Sequence, residues 1–190
     1  LLEKAGFEVD IASPKGGTGK ASGTSRMTRS HKKWFKKSKL SKQLQNAIPM
    51  SEVDTPKYRA VYVAGGAGPM FDLIDNLDTQ NVIRDIYETG GLVSADCHGP
   101  AALLNVYLSD GNRLIEGRKV TAKANIEEGR WARSNYPFLL ENKMQELGAI
   151  YSAAAKNEPH VVVDGRLITG QNPASAIPVA EALIVALKQN

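Results

Sequence analysis

The sequence predicts an α/β layered fold with a mostly parallel sheet, and three observations predict it. Segments patterned as strands alternate with segments of helical periodicity along the chain. Glycine pairs punctuate the changes of period, at Gly65-Gly66 and Gly90-Gly91. The stretch from Gly91 to Asn105 runs from buried strand through one sharp turn into a helix-forming segment, and the rest of the chain is organised around it.

The elements follow in order. Leu1 to Gly6 reads as the end of a helix with Gly6 as its C-cap. Residues 7–13 alternate apolar and polar, which predicts a strand stopped by Pro14. Residues 15–30 are rich in Gly, Ser, Thr and Lys and read as a loop. Gly16-Gly17-Thr18-Gly19-Lys20 does not read as a nucleotide site. Two residues separate Gly16 from Gly19 where a phosphate loop has four, and Ala21 follows the lysine where Ser or Thr would hold magnesium. His31 to Ile48 reads as one helix, with Leu40, Leu44 and Ile48 on one face and Trp34 and Phe35 beside them.

Residues 58–64 predict a second strand, ending in the glycine turn 65–70. Residues 77–89 predict a helix with Val82, Ile83, Ile86 and Tyr87 inward, closed by Gly90-Gly91. After the central strand, turn and helix, Asp110-Gly111-Asn112 is a turn and residues 119–124 a short strand. Residues 137–147 predict a helix opened by Pro137 and closed by Gly148. Residues 160–169 predict two short strands around the Asp164-Gly165 turn, and 178–188 a last helix with Val179, Ala182, Leu183, Ala186 and Leu187 buried.

At 190 residues the chain is long enough for one domain with a sizeable core. The expected organisation is a single domain over 1–190 with a basic insert or lid at about 15–48. Residues 15–43 hold ten Lys or Arg and no Asp or Glu, so the other 14 basic residues face 20 acidic ones. One segment makes the protein basic while its body is mildly acidic. Such a segment suits an acidic surface as partner, although no sequence-reading nucleic-acid motif accompanies it. No apolar run reaches membrane-spanning length. The single cysteine excludes an internal disulfide and suits a reducing cytoplasm. The first residue, Leu1, implies that something precedes it in the gene. His31, His98 and His160 show no metal-ligand spacing.

Candidate chemistry centres on Cys97. A strand-to-helix turn that presents a nucleophile is a nucleophile elbow. A helix start beside the sulfur favours thiolate over thiol, and His98 supplies a proton shuttle one residue away. The bland alternative is a small buried hydrophobe. Gly65-Gly66 offers backbone N–H groups suited to an oxyanion, or simply a tight turn. Ligands of open α/β sheets sit beyond the carboxyl ends of the strands. Cys97, Gly65-Gly66 and Glu127-Glu128 all follow predicted strands, so they can converge on one crevice.

Four segments carry a resemblance: Gly65 to Asp72, Asp96 to Leu104, Gly117 to Thr121 and Leu167 to Ser175. With them the chain resembles the ThiJ/PfpI superfamily, and within it the heat-shock-type glyoxalase III branch. The resemblance implies a flavodoxin-like, class I glutamine-amidotransferase-like three-layer sandwich. It implies cofactor-free conversion of the aldehyde methylglyoxal to D-lactate, also catalogued as D-lactate dehydratase, a lyase. Cys97 matches the nucleophile that forms a hemithioacetal, and His98 the general acid/base. The third, acidic member is matched by Glu128, with Glu127 its neighbour. Gly65, Gly66 and Gly99 match the oxyanion and substrate-binding backbone, with N–H donors from Gly66 and His98.

The resemblance also implies a homodimer and two non-enzymatic alternatives, a stress-response holdase chaperone or a cysteine redox sensor. A degraded paralogue with a basic binding segment is a further alternative. Members carry another strand and a glutamate that would lie upstream of Leu1. Ala67 stands where relatives usually have histidine, and Asp96 where they have a small apolar residue. A buried Asp96 without partners would be costly.

Overall fold

The computed structural model describes residues 1–19 and 27–189. The chain divides into two compact units, Leu2–Val53 and a larger one of Leu1 with Asp54–Asn190. The part of the expected loop with Lys20, Ala21 and Arg26 lies outside the described residues.

In the smaller unit a 3₁₀ turn, Glu3–Ala5, ends at Gly6, whose φ of 92° is the left-handed value a C-cap glycine supplies. Strand β1 is Ala12–Ser13 and pairs in parallel with β2, Ile48–Pro49. The strand expected over 7–13 thus forms only at its end, where the two-residue β2 offers it a partner. Between the two lie helices α1, Arg29–Lys37, and α2, Lys39–Leu44. The single helix expected over 31–48 is broken at Ser38. Ser38 is extended (φ −73°, ψ 150°), its hydroxyl donates to the Phe35 carbonyl at 2.7 Å, and its oxygen accepts the Ser41 N–H at 3.2 Å. One side chain therefore ends α1 and caps α2, and this local bonding overrides the four-residue leucine spacing. Arg29, Lys32, Lys33, Lys36 and Lys37 of α1 are all exposed. At about 100° per residue they share an arc of about 140°.

The larger unit contains β3 (Ala60–Val63), α3 (Leu77–Glu88), β4 (Leu92–Asp96), β5 (Lys119–Val120), α4 (Arg130–Asn135), α5 (Leu140–Glu146), β6 (Ile150–Tyr151), β7 (Val161–Asp164), β8 (Leu167–Gly170) and α6 (Ala176–Gln189). Its four-stranded sheet has the order β3-β4-β8-β7. β3, β4 and β8 run parallel, and β7 folds back antiparallel on β8 around Gly165. A separate pair, β5 with β6, is also parallel. The mostly parallel α/β architecture is as expected. All five residues of β4 are buried, so the strand shows no solvent-facing alternation and its two polar members, Ser94 and Asp96, are buried with the rest.

Helix α3 buries Val82, Ile83, Ile86 and Tyr87 as read, and α6 buries Val179, Leu183 and Leu187 of its expected stripe while Ala182 and Ala186 are half-buried. Fully burying each large apolar side chain stabilises the fold by roughly 1.5–3 kcal/mol. Arg166, at the hairpin turn into β8, donates to the carbonyls of Tyr87 and Gly91 and stacks 4.2 Å over the Tyr87 ring. It ties the end of α3 to the start of β4. α5 begins three residues after Pro137, and α4 and β6 were not expected. Among the described residues no helix is long and apolar enough to cross a membrane.

Candidate active site

The site is built at the end of β4. Cys97 follows the strand with φ 56°, a left-handed conformation unusual for a non-glycine residue. Two backbone bonds hold it there. The Cys97 N–H donates to the Gly170 carbonyl at 2.8 Å, and its carbonyl accepts from the Lys123 N–H at 2.8 Å. The sequence supplies glycine where the bend needs room. A Cβ on Gly65 would stand 2.7 Å from the Cys97 Cβ, and one on Gly99 only 2.3 Å from the Val63 carbonyl oxygen. Gly66, at φ 111°, carries the turn after β3 onward and has open space beside it. The helix expected after the elbow is a single 3₁₀ run, Gly99–Leu103. Its dipole is therefore slight, and the charge environment of the sulfur comes mainly from side chains.

Those side chains form a chain of hydrogen bonds. Cys97 Sγ lies 3.5 Å from His98 Nδ1, and His98 Nε2 lies 2.8 Å from Glu128 Oε1. Both the imidazole and the carboxylate are buried, with side chains 8% and 3% exposed. Burial alone would discourage the imidazolium. The bonds to Cys97 and Glu128 outweigh it and hold the His98 pKa up at about 9, so the ring is protonated at neutral pH. Glu128 reaches the ring because the 3₁₀ turn Asn125–Glu127 ends at it. Arg133 steadies the same turn by donating to the carbonyls of Glu128 and Asn125.

The structure separates the two adjacent glutamates. Glu127 Oε1 accepts from the Asn157 N–H at 2.7 Å and the Asn172 amide at 3.0 Å, while Oε2 faces Lys123 Nζ at 3.3 Å. Glu127 binds the loops together and Glu128 meets the histidine. Asp96 is not left alone: its Oδ1 accepts from the Tyr62 hydroxyl at 2.8 Å and the Gly65 N–H at 3.2 Å. Burial nonetheless pushes its carboxyl above the usual range, with the two hydrogen bonds opposing that rise. The Gly65 N–H is thus committed to Asp96, and the donors of that turn free to meet a ligand begin at Gly66.

Sequence reasoning missed Tyr136. Its ring meets His98 edge-on at 5.0 Å between centroids, and Phe71 and Trp131 each stand 5.6 Å from it. Phe71 and Trp131 are 57% and 60% exposed, so an aromatic rim leads from solvent to the buried imidazole. Burial raises the Tyr136 phenol pKa, with the nearby Glu128 and Cys97 adding to it. Among the described residues no cluster of His, Cys, Asp or Glu is arranged to hold a metal ion.

Comparison with known proteins places the chain in a family. The DJ-1/PfpI family matches residues 1–186. Glyoxalase 3 of Candida albicans is 32% identical, over 80% of this chain and 68% of that protein. The glutathione-independent glyoxalase HSP31 of Saccharomyces cerevisiae is 32% identical, over 98% of this chain and 84% of its own length. The crystal structure of glyoxalase III from Candida albicans superposes with a TM-score of 0.88 at 29% identity, covering 97% of this chain and 82% of that one.

Proposed function

The chain belongs to the DJ-1/PfpI family, and on that premise we propose that it is a glutathione-independent glyoxalase acting through Cys97, His98 and Glu128 in the cytoplasm. The observation that carries the reading is the continuous Cys97–His98–Glu128 contact at a left-handed strand end.

The thiolate of Cys97 adds to the aldehyde carbon of methylglyoxal, forming a carbon–sulfur bond and an alkoxide. Backbone N–H groups of Gly66 and His98 stabilise that oxygen, with Gly65 and Gly99 leaving room for it. Imidazolium at His98 donates its proton to the alkoxide, giving the hemithioacetal. The neutral ring then removes a proton from the former aldehyde carbon to give an enediolate, the hydroxyl proton passes to the former ketone oxygen, and the ring returns its proton to the adjacent carbon. This internal shift turns the hemithioacetal into a lactoyl thioester. Water hydrolyses the thioester, releasing D-lactate and the thiol. Glu128 orients the ring and balances its charge throughout. The exposed faces of Phe71 and Trp131 suit a small carbonyl compound arriving from solvent.

The test is lactate production from methylglyoxal without glutathione, by wild type and by Cys97→Ala. Loss of all but background turnover is expected; equal rates would overturn the reading. A second reading concerns the basic insert, because α1 collects five exposed cations on one arc. It contacts an acidic surface. Binding to an anionic surface that falls steeply between low and high salt supports it, and salt-insensitive binding removes it.

A further inference from the structure

The mechanism makes no use of Asp96, although it is the residue before the nucleophile and only 6% exposed. Its side chain does not point away from the elbow. From the position a Gly65 Cβ would occupy, Asp96 Oδ2 lies 3.5 Å away and the Cys97 Cβ 2.7 Å away. The Asp96 carboxylate and the base of the Cys97 side chain therefore border the same small space. Neither hydrogen-bond partner of Asp96 is cationic, since one is the Tyr62 phenol on β3 and the other the Gly65 N–H. The phenol stays protonated: burial and the Asp96 charge both push its pKa far up, so it donates to the carboxyl at every working pH. The other charged groups described at the elbow, His98 and Glu128, pair with each other, and His98 in turn meets the sulfur. An ionised Asp96 is thus a second negative charge beside a thiolate, without a cation of its own.

We propose that Asp96 is a positioning residue that sets the charge felt by Cys97: its carboxylate, held under the elbow by Tyr62 and Gly65, opposes the thiolate, and its protonated form relieves that opposition. Two like charges in one partly desolvated site displace each other's titration by about 1–2 pH units. The proposal rests on Cys97 being the nucleophile, but its test reads the sulfur directly and needs no turnover.

Cys97 is the chain's single cysteine, so the rate of iodoacetamide alkylation against pH reports it alone. Asp96→Asn keeps an oxygen to accept from Tyr62 and Gly65 but removes the charge. Its alkylation midpoint is expected about 1 pH unit or more below that of wild type. Asp96→Glu keeps the charge and is expected to hold the wild-type midpoint. An unmoved midpoint in Asp96→Asn, or an equal downward shift in Asp96→Glu, overturns the proposal. Should the variants fail to fold, wild type suffices, because the coupling is reciprocal. In wild type the carbon-13 signal of the Asp96 carboxyl, followed against pH, is expected to show a second inflection where Cys97 ionises, and capping Cys97 with the neutral carboxamidomethyl group is expected to abolish it; a curve identical before and after capping overturns the proposal.

Discussion

Glu128→Gln isolates the charge that stabilises the active-site imidazolium. Glutamine retains an oxygen for His98 Nε2–H, 2.8 Å away in the native protein, but not the negative charge. In the native site the His98 pKa stands at about 9 instead of the ordinary 6.5, against the effect of burial. That difference corresponds to about 3 kcal/mol in favour of the protonated folded state. The pKa is raised on folding, so this stabilisation is complete below pH 6.5 and lost as pH rises through about 9. Without the Glu128 charge, burial counts for more and Cys97 alone supports the imidazolium. The His98 midpoint is then expected to fall by at least about 1 pH unit. Stability should drop by about 1–2 kcal/mol at pH 6 and by much less at pH 10. With three histidines in the chain, proton NMR can follow His98 directly, and urea denaturation at the two pH values gives the stability difference. A His98 midpoint that stays near 9, or a stability loss of the same size at both pH values, would refute the reasoning.

Three other outcomes follow from the same geometry. Glu127→Gln should cost roughly 2–4 kcal/mol in urea denaturation, because it leaves Lys123 without its buried partner, yet leave the His98 titration in place; a shifted His98 midpoint would assign Glu127 a part in the site. Gly65→Ala forces a methyl to within 2.7 Å of the Cys97 Cβ and 3.0 Å of the Asp96 carbonyl oxygen. It should destabilise by about 1–3 kcal/mol and slow Cys97 alkylation at least about tenfold, whereas Gly129→Ala, with nothing within 4 Å, should do neither. Cys97→Gly should be more stable than Cys97→Ala by about 1 kcal/mol, since glycine adopts φ 56° without steric cost; the reverse order in denaturation midpoints would contradict a strained elbow.

What could be read from the sequence was local. Cys97 and His98 are adjacent, follow a short segment opened by Leu92 and Val93 and precede Gly99-Pro100, so one short stretch specified strand, bend and candidate chemistry together. Glu128 was legible only as one of a pair. Thirty residues separate it from His98, and the backbone angles that turn Glu128 to the ring and Glu127 to Asn157 leave no trace in composition. The partners of Asp96 were hidden for a similar reason, because they depend on the parallel register that brings Tyr62 opposite Ser94. α4 escaped because only Ala132 of its six residues is buried, too few to print a period, and the Tyr136 that follows it went unread as well. The break at Ser38 ran the other way: a true four-residue leucine spacing was overruled by one hydroxyl bonding its own backbone. Long periodic segments such as α3 and α6 were legible because the core itself writes their pattern.

The aromatic rim has a practical corollary. The protein has two tryptophans, and Trp131 is one ring removed from the imidazole through Tyr136. Indole emission is quenched by nearby proton donors and altered by anything that displaces water from its face. With Trp34 replaced by phenylalanine, the molecule becomes its own optical gauge. Its glow would register the ionisation of the neighbouring ring and the arrival of a guest at the entrance, in real time and without a label.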